Sequence, residues 1–141
     1  MILLDTNVIS ELMKEEASPI VRTWLDEQVF DTLYLSVFTV SELHYGIFVL
    51  PDGKKKTQLQ HALANILPLF SGRILPFDEQ CALCYAQLAV AARQSGKGFP
   101  LPDAYIAAIA AAHDFAVASR DIAPYDAVKI QVINPWEAKY H

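Results

Sequence analysis

Asp5, Glu42, Asp103 and Asp121 are the residues whose type and placement could do chemistry together in this 141-residue chain. Asp5 follows Ile2-Leu3-Leu4, an apolar run that reads as buried strand, and Val8-Ile9-Ser10-Glu11-Leu12 beyond it reads as helix. Glu42 lies one turn into the helix that follows a second strand. Asp103 opens an Ala-rich helix, and Asp121 comes two residues after a fourth strand. In open α/β sheets, ligands bind just outside the carboxyl ends of the strands. Each acid also has a simple structural explanation. Asp5 fits an N-cap, Thr39-Val40-Ser41-Glu42 a capping box, Asp103 beside Pro102 a carboxylate at the positive end of a helix, and Asp121 an Asx-turn. Ser, Thr or Asn would cap as well, so capping does not require four acids. Gathered at one rim they would repel, by roughly 4 kcal/mol per pair at 4 Å and an effective dielectric of 20. That is large against a total stability on the order of 5–15 kcal/mol. Divalent cations or raised pKa values would relieve it. Carboxylates without His or Cys suit Mg²⁺ or Mn²⁺ rather than Zn²⁺. One or two such ions can hold a phosphodiester, activate water and stabilise a leaving oxygen.

The elements that must position these acids are legible from periodicity and turn residues. Pro19 to about Phe30 reads as helix, with Ser18 as N-cap and Pro19 in the first turn. Tyr34-Leu35-Ser36-Val37 reads as strand, and a helix from about Thr39 carries Val40, Leu43, Ile47 and Leu50 on one face. Pro51-Asp52-Gly53 turns the chain, and Lys54-Lys55-Lys56 opens a helix bearing Leu59, Leu63, Ile66, Leu67 and Phe70. Arg73 to Phe77 is the third strand candidate. Asp78 caps a helix to about Gln94, and Ser95 to Gly98 breaks the chain. The Ala-rich helix runs from Leu101-Pro102-Asp103 to His113. Ala116 to Ser119 and Lys129 to Ile133 are the last strands, stopped by Asn134-Pro135-Trp136. Short apolar strands alternating with helices imply an α/β fold with a mostly parallel five-stranded sheet covered on both faces. One domain over residues 1–141 is expected, without internal repeats.

The net charge of −5 means that the overall field does not attract nucleic acid, so a polyanion would need a local basic patch or bound cations. Three apolar residues are too short a start for a secretory signal, and Ala104 to Ala112 is far short of a membrane span, so a soluble cytoplasmic protein is expected. Cys81 and Cys84 have the spacing of a zinc or redox half-site, but no second pair of ligands stands out. With Leu88 they share a helix face and read as core. His44 does not share a face with Glu42, His113 suits a helix C-terminus, and His61 and His141 carry no pattern. Lys54 to Lys56 read as a solvated helix start, or else as an RNA or partner contact together with Arg73 and Arg120. Arg120 abuts the acids and is the best placed to touch a substrate phosphate.

Several segments resemble the PIN-domain nucleases: Leu4-Asp5-Thr6-Asn7, Ser41-Glu42-Leu43 and Pro102-Asp103-Ala104-Tyr105-Ile106-Ala107-Ala108. So do Ala118-Ser119-Arg120-Asp121 followed by Tyr125, and Val132-Ile133-Asn134-Pro135-Trp136. The chain is most similar to the VapC toxins of toxin–antitoxin pairs, in their FitB-like branch, through Gly53-Lys54-Lys55-Lys56 and Ile66 to Glu79. The resemblance implies a PIN-like three-layer fold and a metal-dependent endoribonuclease with Asp5, Glu42, Asp103 and Asp121 as its acidic set. Asp5, Asp103 and Asp121 would hold Mg²⁺ or Mn²⁺, Thr6 and Asn7 would support the site by hydrogen bonds, and Ser119 would be the small hydroxyl residue before the last acid. Asp126 is an alternative to Asp121. The resemblance further implies a homodimer, an RNA substrate, no membrane, and a small DNA-binding antitoxin that inserts an Arg into the acidic pocket. Two other readings remain open at this point. One is a non-catalytic partner that grips its antitoxin and binds operator DNA. The other is a phosphoryl-transfer enzyme, which would want a second acid close after the first strand and a lysine after a later one.

Overall fold

Successive residues of a strand point to opposite faces of a sheet, and in this protein that alternation sorts the core into two halves. The computed structural model describes residues 1–137; His141 and the end of the expected 1–141 domain lie outside them. In chain order the elements are β1 (Ile2–Leu4), α1 (Thr6–Leu12), α2 (Pro19–Asp26), β2 (Leu33–Ser36), α3 (Val37–Phe48), α4 (Lys54–Ile66) and β3 (Ile74–Leu75). They continue with α5 (Glu79–Gln94), α6 (Asp103–His113), β4 (Ala116–Ala118), α7 (Ala123–Asp126) and β5 (Val132–Ile133). The strands pair in the order β3-β2-β1-β4-β5, every pair parallel. The sheet is thus wholly rather than mostly parallel, because a helix lies on each of the four connections between successive strands.

Leu4, Leu33, Leu35 and Ala118 face α1 to α4 and pack with Val8, Ile9, Trp24, Leu43, Ile47 and Leu63. Leu3 and Val117 face the other way, against Cys81, Ile106, Ala107, Ile109, Ala110 and Tyr125. The result is a three-layer sandwich, as the fold class required. The Ala residues of α6 serve the second layer, since Ala104, Ala107, Ala108 and Ala110 are all fully buried. Side chains this small let α6 lie close to α5, β4 and α7.

Local departures from expectation have local causes. α3 starts at Val37, not near Thr39, because Ser36 Oγ accepts the Thr39 amide at 3.1 Å and is itself the cap. The Thr39–Glu42 capping box therefore does not form. Ser18 makes no side-chain cap, although Pro19 opens α2 as expected. Arg73 is not free for RNA: its guanidinium binds Leu33 O and Leu69 O and packs on the Phe30 and Phe70 rings. Lys56 reaches back to Phe48 O and Asp52. Cys81 is buried in the core and Cys84 is half-buried, both as free thiols. Among the described residues, no helix is long and apolar enough to cross a membrane.

Ala107→Leu should overpack the α6 layer and cost roughly 1–3 kcal/mol of stability. Urea denaturation would read this as a lower midpoint at unchanged slope.

Candidate active site

β1 is central in the sheet. The chain lays β2 and β3 to one side of it, then crosses over to lay β4 and β5 on the other. The carboxyl end of β1, beside β4, is therefore a topological switch point, where helices leave to opposite faces and open a crevice. Asp5 occupies it, its amide donating to Ala118 O at 2.9 Å. Only 4% of Asp5 is exposed. Its Oδ1 accepts the Thr6 amide at 2.7 Å, while Oδ2 accepts Ser119 Oγ and Tyr125 OH, both at 2.8 Å. A hydroxyl offers one donor and two acceptor sites, and Ser119 uses them all. It donates to Asp5 and accepts Asn7 Nδ2 at 3.1 Å and the Asp121 amide at 3.0 Å. Asn7 Oδ1 in turn accepts the Arg120 amide. Thr6, Asn7 and Ser119 thus tie the β1 end to the β4 end.

Glu42 comes from the second turn of α3. Its Oε1 accepts Thr6 Oγ1 at 2.8 Å, and Thr6 Oγ1 shares a 3.2 Å hydrogen bond with Thr39 Oγ1, which Ser36 Oγ also approaches. With Glu42 ionised, each proton is used once if the chain runs Ser36 to Thr39 to Thr6 to Glu42. Burial, and secondarily the Asp5 charge, raise the Glu42 carboxyl above its ordinary range despite the Thr6 bond. Asp103 opens α6, where the helix field alone would favour its ionised form. Instead burial, then the charges of Asp5, Asp121 and Glu42, push it up to about 6. Burial, reinforced by mutual repulsion, outweighs the dipole. Asp121 has its amide on Ser119, and its carboxylate takes no protein hydrogen bond among the described residues, so it forms no Asx-turn.

All four acids line one hollow of ≈ 390 Å³, together with Thr6, Asn7 and Arg120. Asp126 does not line it and is exposed on α7. Glu11 and Lys14, to which the sequence reading gave no role at the site, also line the hollow. Glu11, buried on α1, binds Lys14 Nζ at 2.6 Å and the Ser18 amide at 3.4 Å. The Lys14 ammonium holds the Glu11 carboxyl below its usual range against the opposing effect of burial. Asn7, Glu11 and Lys14 stand at i, i+4 and i+7, a spacing that would have placed all three on one face of α1. Tyr125 OH, buried against Asp5, has its own ionisation pushed sharply up by burial and then by the Asp5 and Asp103 charges. It stays a proton donor. Arg120 lies with Cζ 5.2 Å from the centre of the Trp136 ring.

Among the described residues, no three His, Cys, Asp or Glu side chains stand close enough to form a ready-made metal cage. The donor set still fits a hard cation: carboxylates in mutual repulsion, with Asp121 unclaimed by any donor among the described residues. Mg²⁺ retains several waters and is commonly held by one or two carboxylates, which suits acids spaced around a hollow.

Comparison with known proteins places this arrangement. Residues 2–129 match the family model described as PIN domain. The chain is 49% identical to the VapC ribonuclease Y4jK of Sinorhizobium fredii, over 97% of this chain and 99% of that one. It is 48% identical to the toxin FitB of Neisseria gonorrhoeae, over 96% and 99%. A solved structure of FitAB bound to an IR36 DNA fragment superposes with a TM-score of 0.93 at 46% identity, covering 100% of this chain and 99% of that chain.

Asp103 binds its proton at about 6 in the folded chain against an ordinary 3.8. Between those values the folded state holds more protons than the unfolded, so metal-free stability should fall as pH rises through that window. The loss should be on the order of 2 kcal/mol once solvent screening of a half-exposed carboxyl is allowed for, and Asp103→Asn should leave only the contribution of the raised Glu42 carboxyl. Urea melts in chelator, below and above the window, would measure both. Ser119→Ala strands partners on Asp5, Asn7 and Asp121, and should cost about 1–3 kcal/mol in the same assay.

Proposed function

This chain belongs to the PIN-domain family, in the branch of the VapC and FitB toxins, and we propose that it is a metal-dependent endoribonuclease toxin of a type II toxin–antitoxin pair. One observation carries the reading: four acids far apart in sequence line a single hollow at the switch point of the sheet. The relatives named as a ribonuclease and a toxin support it. Asp5, Asp103 and Asp121 would hold Mg²⁺, or Mn²⁺ in its place. When bound, the ion supplies Lewis-acid polarisation of a phosphodiester and a more acidic water.

The chain's own residues do the positioning. Thr6, Ser119 and Tyr125 fix Asp5 from three directions and leave one acceptor site of Oδ1 unused on a residue that lines the hollow. Thr6 takes Oε1 of Glu42 and leaves Oε2 to accept a proton from a water, so Glu42 orients the attacking water. Asp103 sits at the start of α6 and completes the negative set. An RNA phosphodiester is the substrate. A small DNA-binding antitoxin occupies the same hollow with an Arg side chain, whose charge replaces that of the cation. The toxin works as a homodimer in a larger assembly with this antitoxin.

A second reading is favoured by the DNA-bound FitAB structure: the chain acts mainly as the antitoxin's partner in a complex on operator DNA, with weak or no catalysis. Digestion of total RNA by the isolated chain separates the two. Cleavage should need Mg²⁺ or Mn²⁺, stop with chelator, and vanish in Asp5→Asn and Asp103→Asn while circular dichroism stays native. Full activity in either variant rules the site out.

A further inference from the structure

We propose that Lys14 and Arg120 form a clamp on the RNA backbone at the rim of the acidic hollow, with Glu11 and Trp136 as the supports that hold them. The inference rests on the ribonuclease reading. A chain of net charge −5 whose site collects carboxylates repels a polyanion, so the strand needs fixed cations at the point of entry. Among the described residues, Lys14 and Arg120 are the cations that line the hollow.

Both are held and both keep free donors. Lys14 follows α1, and 60% of its side chain is exposed. Glu11 takes one of its three ammonium hydrogens and leaves two. Glu11 itself is buried and spends its other oxygen on Ser18, so it serves as a counter-charge that aims Lys14. Arg120 follows β4 from the other side of the hollow's floor. Its amide is fixed by Asn7 Oδ1, and its guanidinium lies over Trp136. No acceptor among the described residues takes a guanidinium hydrogen, so the planar fork is available for bidentate phosphate binding. Trp136 is held in turn, its amide bound by Asn134 Oδ1 in the turn Pro135–Glu137 that packs on α2. Lys14 also borders the neighbouring groove lined by Met13, Glu15, Lys55 and Leu59, where Lys14 and Lys55 outnumber the one acid.

The test is the salt dependence of binding of a short fluorescein-labelled single-stranded RNA, read by anisotropy with Ca²⁺ present, alongside cleavage kinetics with Mn²⁺. Lys14→Gln and Arg120→Gln should each make the log–log slope shallower by about 0.7, and the cleavage loss should fall in KM rather than kcat. Trp136→Leu should weaken binding less in Arg120→Gln than in the wild-type background, as expected of a residue acting in part through the arginine and, by its side-chain contact with Glu11, in part through Lys14. Unchanged slopes in both single cation variants overturn the clamp, as does a loss confined to kcat. If the wild type cleaves no RNA, the ribonuclease reading falls, while the binding slopes still decide the clamp on their own.

Discussion

Three donors from three separate segments converge on the Asp5 carboxylate, and the rest of the site depends on that convergence. The Thr6 amide is fixed by the start of α1, the Ser119 hydroxyl by the end of β4, and the Tyr125 hydroxyl by α7. A buried carboxylate without such partners would be costly. With them it becomes a rigid anchor, and Ser119 extends the anchoring to Asn7 and Asp121 because all its hydrogen-bonding capacity is engaged. The other acids then gather around a fixed charge. Asp103 carries the consequence, since burial and its three acidic neighbours raise its proton affinity.

Stability and function are in tension at this rim. Like charges in a hollow work against folding, and a hydrophobic sandwich on both faces of the sheet supplies what they cost. A dication, or an Arg from a partner, would neutralise the same cluster. One electrostatic feature would therefore account for both the metal dependence and the form of inhibition proposed above. The hollow's own cations are held at its edge by Glu11 and Trp136. Arg73, by contrast, is spent on tying the turn after α4 to β2.

Much of the site was legible because each acid sits beside a strong boundary signal. Apolar triplets end at Asp5 and near Asp121, and Pro102 marks the start of α6. An acid next to such a boundary in a parallel α/β chain has few places to go other than the rim. Glu42 was legible too, but for an incomplete reason. The capping box suggested for it fails because Ser36, one residue before α3, takes the Thr39 amide first, which frees Glu42 to face Thr6. Cap selection depends on where the strand ends, and periodicity locates an end only to within a residue or two.

By itself the sequence determined the alternation of strand and helix, the two-sided burial and the placement of four candidate acids at element boundaries, because these follow from periodicity, turn chemistry and residue type along a local stretch. Only the tertiary structure decided the strand order, the wholly parallel sheet, and the position of Asp121 rather than Asp126 at the hollow. It also brought in Glu11, Lys14, Tyr125 and Trp136 as parts of the site. Their roles come from contacts across as many as 120 residues of chain, as between Tyr125 and Asp5. Such contacts exist only once β4 has paired with β1, and no local pattern encodes which side chains that pairing will bring face to face.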